Sequence, residues 1–407
     1  MNKNSLIGFI LIAAILFGWM MWMTPSKEEL ARQQRVQDSI RQVRIAEAQL
    51  DSIRAAELQR ANDSLTAIQN LMQSDTIADS AFLAQAQFNA LRDKFGVFAN
   101  AATGEEQTFT VENQLQRLTF STKGGFLKQV ELKEYKTYDS LPLISFDPET
   151  AIFDLAFFSQ NRTINSSQFY FKPFVNGQPW DGGDLMTQPE DSVMVTMRLM
   201  TDNPDGSANN SKYIDFVYTI HHDNYMMDFD IRTIGMKDIL ATNANYMSIE
   251  WNVDLMKQEK SADRFSGESV YYRPLNDKDV DHLDEFKDSE EAVHTKLKWI
   301  SFKQRFFCNV LVAKDEFESA NMEVRTNKSN NPRYFKTMSA NVEVPIDVNA
   351  EQNDIAMSLY FGPNHFKTLK SYDLGLQHQI NLGKFFLIRW INYGVIAVFN
   401  WLSSYGW

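Results

Sequence analysis

Three acidic residues at alternate positions, Asp277, Asp279 and Asp281, open like the loop of a calcium site. Such a loop needs Gly at its sixth position to turn and a bidentate Glu at its twelfth to complete the cation's shell. His282 and Asp288 stand there instead, so the acidic run through Glu291 reads as a solvated loop or an exposed helix start. His221, His222 and Asp223 form a second group, of types that move protons or bind zinc. Neighbours on a strand point to opposite faces, and His282, His294, His365 and His378 add no ligand spacing, so these read as surface histidines at a turn. Cys308 is the only cysteine and sits in the apolar run 306–312, where a buried, inert thiol is the natural reading. Nucleophile elbows, phosphate-cradling glycine loops and paired cysteines are absent from the sequence. The expectation is a protein that is not an enzyme, with no cofactor, no metal and no small-molecule substrate.

The elements around these residues are unusual first at the ends. Residues 6–23 read LIGFILIAAILFGWMMWM, uncharged throughout. About 18 apolar residues make a helix that nearly crosses a hydrocarbon core of about 30 Å. A cleaved export signal wants a basic start, a shorter core and small residues at the cut. Here only Lys3 precedes the core, and Trp19, Met20, Met21, Trp22 and Met23 fill the place of the cut. Residues 1–24 are therefore expected to be a retained transmembrane anchor, with Trp19 and Trp22 in the interfacial belt. Lys27, Arg32, Arg35, Arg41 and Arg44 follow the span, but long domains translocate largely regardless of such charges. Charge does not set the orientation.

Residues 25–95 have Pro25 at the start and then neither Gly nor Pro, and Ala, Gln, Glu, Arg and Leu dominate. Val36, Ile40, Val43, Leu50, Ile53, Leu65, Ile68 and Met72 recur mostly at three- and four-residue steps, broken around Glu47 and Arg54. This predicts a helical spacer with a partial coiled-coil pattern. After Gly96 short alternating apolar runs take over, at 109–111, 118–120, 193–199, 213–220, 226–231, 248–253, 306–312 and 355–361. Turn-rich stretches at 176–179, 202–211 and 329–332 separate them. Such a pattern predicts an antiparallel sandwich or barrel over 96–375, with the pair Gly124-Gly125 making a tight hairpin turn. The net charge of −12 excludes a general nucleic-acid binder.

On a helical wheel of the last segment, within 376–407, Arg389, Asn392, Asn400 and Ser403 fall on one arc. Aromatic and aliphatic residues cover the other side. Arg389 would be costly inside a span, so the segment reads as a helix lying in the interface, with Phe386, Trp390 and Trp401 meeting the bilayer.

Three motifs add to this order of parts. Leu118-Thr119-Phe120-Ser121-Thr122-Lys123-Gly124-Gly125 is followed by Leu127 and Val130. Trp299 to Phe307 reads WISFKQRFF, and Leu359-Tyr360-Phe361-Gly362-Pro363 comes shortly before the last segment. Together they resemble the front half of bacterial YidC-type membrane protein insertases, in the long-spacer form of Bacteroidetes. The resemblance implies a mainly β protein: a periplasmic β-supersandwich after the anchor and spacer, then the amphipathic helix. It implies an inner-membrane location with a cytoplasmic N-terminus, and as partners the lipid bilayer, the Sec translocon and nascent membrane proteins. The family's five further helices, with a cation in their hydrophilic groove, have no counterpart here, and Arg389 does not take that role. The chain by itself is therefore not expected to insert proteins. Two other readings compete: a carbohydrate-binding or mutarotase-like β domain, since the implied fold resembles mutarotases, and an envelope adaptor. The adaptor needs a second helical arm, and no such stretch follows Phe95.

Overall fold

The computed structural model describes residues 80–160, 162–259, 267–327 and 333–381, with Gly394, Val395 and Val398. Trp19, Trp22, Phe386, Trp390 and Trp401 lie outside these residues, as do the expected anchor and most of the spacer. The chain divides into two compact units, Met1–Lys94 and Phe95–Trp407. The first is described only in the helix Ser80–Phe95, which carries Arg92 and Lys94 in its last turn, where the helix dipole favours cations. Gly96 follows at φ 62°, a conformation that stops a helix and suits a residue without Cβ. No described helix is long and apolar enough to cross a membrane.

The second unit is built from three sheets. The ten-stranded sheet runs in the order Asp281–His282, Ser269–Pro274, Leu297–Lys303, Phe307–Phe317, Gln352–Pro363, Met226–Ile234, Ala208–His221, Ser192–Asp202, Lys172–Val175 and Gln178–Pro179. A six-stranded sheet is ordered Ser289–Val293, Ser319–Thr326, Tyr334–Pro345, Tyr246–Met256, Ile152–Ser159 and Arg162–Asn165. The third, five-stranded, is ordered Pro142–Phe146, Leu127–Lys136, Gln116–Ser121, Thr108–Glu112 and Leu185–Met186. Among the described residues only the last pair of the third sheet is parallel. Alternation in sequence makes these strands: along Met226–Ile234 every second residue is buried.

The two smaller sheets face one side of the large one. Trp251 of the six-stranded sheet stacks on Phe302 of the large sheet, with centroids 3.9 Å apart and planes at 19°. Ser145 of the five-stranded sheet bonds Asn309 of the large sheet. Phe126 and Phe153 stack at 3.6 Å, and Tyr218 and Phe229 extend the cluster. Each such ring withdraws enough area to contribute at most about 4–6 kcal/mol. The chain is a mainly β protein, with its core between antiparallel sheets.

The outer side of the large sheet is covered as well. After Pro363 the chain forms the helix Phe366–Ser371 and the 3-10 turn Leu376–Gln379, burying Leu369 and Leu376. Trp299 Nε1 donates to the Leu374 carbonyl (2.9 Å), and Ser301 Oγ donates to Gln379 Oε1 (2.7 Å). The first residues of the 376–407 segment are thus packed on the β domain.

Two local expectations are corrected. The acidic run contains a strand, Ser289–Val293, at the edge of the six-stranded sheet; edge strands carry charge where a central strand cannot. The polar stretch 202–211 is a turn only at its start, because the strand Ala208–His221 begins inside it with exposed Asn and Ser. The glycine turn is as expected, with φ of 80° and 70° at Gly124 and Gly125. At Gly125 a Cβ would stand 2.6 Å from Phe171 Cδ1.

Candidate functional site

Of the polar groups singled out by type, the aspartates of 277–281 stay apart, whereas His221, His222 and Asp223 line one recess of about 640 Å³ with Glu190 and Asp191. Asp279 N–H donates to Asp277 Oδ1 (3.0 Å) and His282 N–H to Asp281 Oδ1 (3.0 Å), so these carboxylates brace their own turns. Among the described residues no group of three His, Cys, Asp or Glu is placed to hold a metal. His221 and His222 diverge: His221 Nε2 meets Asp228 Oδ2 at 3.2 Å, and His222 Nδ1 meets Thr187 Oγ1 at 3.1 Å. The Asp228 carboxylate also accepts from Lys314 Nζ at 2.9 Å. Burial works against its charge, but the bonds from Lys314 and His221 outweigh that and hold it below the usual carboxylate range. Such a carboxylate is spent on an ion pair on a half-open sheet face. Cys308 is fully buried, and burial pushes its thiol up to about 12, leaving it inert at neutral pH.

What the fold does assemble is a groove of about 590 Å³ at one end of the β domain. Tyr135, Leu143, Phe307 and Pro363 form its apolar wall, and Tyr138 and Phe306 stand at its lip. Lys136, Glu259 and Arg305 bring charge to it, with His365 beside them. Three elements converge here. The strand Leu127–Lys136 turns through 137–141 into Pro142–Phe146, carrying Tyr138 and Leu141 at its tip. The hairpin joining Leu297–Lys303 to Phe307–Phe317 presents Arg305 and Phe306. Pro363, at the end of Gln352–Pro363, lies opposite Phe307 in register.

The motifs hold this convergence together. Asn364 Nδ2 donates to the carbonyls of Gln304 (2.6 Å) and Phe307 (3.0 Å), and its N–H donates to the Phe306 carbonyl (2.7 Å). One side chain thereby fixes the hairpin that carries Phe306. Gly362 is required by close approach: a Cβ there would stand 2.7 Å from Tyr360 Oη and 2.9 Å from Tyr225 Cγ. Tyr360 Oη donates to the Pro363 carbonyl at 2.7 Å. Gln116 Nε2 reaches across from the five-stranded sheet to the Phe361 carbonyl at 2.7 Å. The motifs at 299–307 and 359–363 are therefore joints of one scaffold, braced by Gln116 just before the first motif.

Charge at the groove is set by burial and by a few neighbours. Burial and the nearby Glu268 push the Glu259 carboxyl up, with Arg305 opposing. Behind it Lys336 is buried, with Nζ donating to the carbonyls of Glu268 and Glu285, both at 2.7 Å. Sequence reasoning missed Tyr138, Leu141, Phe306 and Asn364. The available signal was an apolar pair flanking a polar turn (Tyr138 and Leu141) and an aromatic beside Arg305 between two strands.

Fold and groove define a large antiparallel β-sandwich domain with an open apolar recess at one end. The model of the YidC periplasmic domain matches residues 108–393. The chain is 33% identical over 418 residues to the membrane protein insertase YidC of Parabacteroides distasonis, covering 100% of this chain and 60% of that protein. It is 34% identical over 420 residues to that of Phocaeicola vulgatus, covering 100% and 59%. The chain belongs to the YidC family and carries its periplasmic domain. It spans about three fifths of the length of these relatives, 60% and 59%. Among solved structures, a galactose mutarotase-like protein from Lactobacillus casei is 10% identical, covering 63% of this chain and all of that one, at a TM-score of 0.38. That likeness is too distant to carry an argument.

Proposed function

We propose that this chain supplies the membrane anchor, periplasmic domain and interfacial segment of a membrane protein insertase, and that it performs no covalent chemistry. The observation that carries this is the match along the whole of this chain, at 33% and 34% identity, to 60% and 59% of proteins named membrane protein insertase. In this reading 1–24 is the inner-membrane span, entered from a cytoplasmic N-terminus, with Trp19 and Trp22 at the interface. Residues 25–95 are a spacer, 96–375 the periplasmic β domain, and 376–407 the segment that returns to the bilayer, with Phe386, Trp390 and Trp401 as its anchors. The bilayer, the Sec translocon and nascent membrane proteins are its partners. The apolar wall of the groove (Tyr135, Leu143, Phe307 and Pro363) supports a docking role over sugar chemistry, since fold alone assigns no activity.

The test is protease access in cells. The β domain should resist added protease in intact cells and be cut in spheroplasts, while a cytoplasmic marker stays whole. A domain protected in spheroplasts overturns the assignment. For activity, the chain should replace the matching front part of a depletable insertase and restore client insertion; a folded chimaera that restores none argues against the role.

A further inference from the structure

We propose that the groove end of the β domain rests on an anionic bilayer surface, with Tyr138, Leu141 and Phe306 entering the interface and the groove accepting lipid. The proposal builds on the reading that the segment from Phe385 meets the membrane.

Three observations point there. First, exposure is concentrated. Tyr138, Leu141 and Phe306 are 60%, 55% and 51% exposed; Met186, Phe286 and Ile152 are exposed too, at 62%, 60% and 42%, but each on a separate element away from the groove. Tyr138, Leu141 and Phe306 sit on two neighbouring hairpin tips. A soluble surface gains nothing from projecting such groups, whereas rings and branched apolar side chains are stabilised at the headgroup level.

Second, the charge around them departs from that of the whole chain. Lys136 and Arg305 line the groove, and the helix that follows Pro363 exposes Lys367 and Lys370. Against these stand Glu134, Asp139, Glu259 and, beside Lys370, Asp373, an even balance in a chain of net charge −12. Arg305 lies with its guanidinium 5.3 Å from the centre of the Phe306 ring, so cation and aromatic are presented together. Anionic headgroups attract clustered cations at about fivefold in binding per Lys or Arg, and adjacent apolar side chains add insertion.

Third, the chain leaves the domain at this end. Leu374 bonds Trp299, and Gln379, further on, bonds Ser301 Oγ (2.7 Å) and Cys308 Sγ (3.5 Å). Cys308 adjoins Phe307 of the groove wall, so the covering segment runs toward the 304–306 hairpin. The apolar sequence FFLIRW begins at Phe385, four residues after Asn381, and four residues of chain span at most about 14 Å. A bilayer that takes up this sequence is held within reach of Tyr138 and Phe306.

The test uses the full chain in vesicles of phosphatidylcholine with phosphatidylglycerol. A single label is attached at Ser140→Cys, between Tyr138 and Leu141, and a control label at Glu351→Cys. Glu351 adjoins the opposite end of Gln352–Pro363, about 36 Å from Pro363 at strand rise. Cys308 is buried and stays unlabelled. An environment-sensitive fluorophore at 140 should shift to the blue and be quenched by spin-labelled lipid, and the one at 351 should not. Lys136→Glu with Arg305→Glu, or vesicles of phosphatidylcholine alone, should reduce the quenching at 140 severalfold. Equal, unquenched signals at 140 and 351 on vesicles that retain the chain through alkaline carbonate overturn the docking face and leave the anchoring reading standing. Loss of the chain to carbonate overturns both. A shift at 140 that appears only when an extended apolar peptide is added overturns the bilayer as occupant in favour of a peptide.

Discussion

Replacing Gly362 by alanine tests whether close packing of two tyrosines holds the end of the central strand. The added methyl would stand 2.7 Å from Tyr360 Oη, 2.8 Å from Tyr360 Cζ and 2.9 Å from Tyr225 Cγ. Tyr360 is completely buried and Tyr225 nearly so, leaving neither ring room to swing. Overpacking of this kind costs about 1–3 kcal/mol. Displacing Tyr360 also lengthens its 2.7 Å bond to the Pro363 carbonyl, adding about 1 kcal/mol. The expected loss is about 2–4 kcal/mol. For a domain of this size that lowers Tm by roughly 3–7 °C. The assay is thermal unfolding of the full chain in detergent, followed by near-ultraviolet circular dichroism, for Gly362→Ala, Tyr360→Phe and the pair. Removing the hydroxyl deletes the nearest clashing atom but leaves Cζ in place. The double variant should therefore be less destabilised than the sum of the singles. A Gly362→Ala protein within about 0.5 kcal/mol of the parent, or strict additivity with Tyr360→Phe, would refute the packing account.

Asn364→Ala should cost about 2–3 kcal/mol, because the carbonyls of Gln304 and Phe307 lose their donor; faster hydrogen exchange across residues 303–307 would be the local sign. Trp251→Ala removes the stacked partner of Phe302, and a loss of about 3–5 kcal/mol is expected in denaturant unfolding. The Cys308 thiol is raised from 9.0 to about 12 in the fold. With a raised folded value, its contribution is complete below pH 9 and is lost progressively from there to about 12, as the unfolded chain ionises first. Between pH 8 and 10 the parent should lose about 1.4 kcal/mol more than Cys308→Ala; equal losses would place the thiol in contact with water. The same burial predicts that a thiol reagent modifies the native chain at pH 8 far more slowly than the urea-unfolded chain.

The strands were legible wherever one face is buried and the other wet. Met226–Ile234 and Tyr246–Met256 alternate almost without fault, and the period alone finds them. Gly124-Gly125 was legible because only a turn needs two glycines there. Ser289–Val293 was not, since an edge strand in contact with water on several sides keeps residues that look like loop. The divergence of His221 and His222 followed from strand geometry, although the partner Asp228 could not be foreseen. The groove was invisible for a different reason. Its walls come from residues near 138, 306 and 364, brought together by pairing across more than two hundred positions, and no local pattern encodes such a meeting.

The large sheet has a consequence for the order in which the protein can be made. Gln352–Pro363 lies in its interior, between Met226–Ile234 and Phe307–Phe317, yet is the last of its strands in the chain. During synthesis from the N-terminus, two half-sheets must wait with open inner edges until residue 363 has emerged. Non-local pairing of this kind is slow, and open strand edges are sticky. The final strand acts as the keystone of an arch: until it drops into place, the aromatic residues on either side have only each other's company or a stranger's.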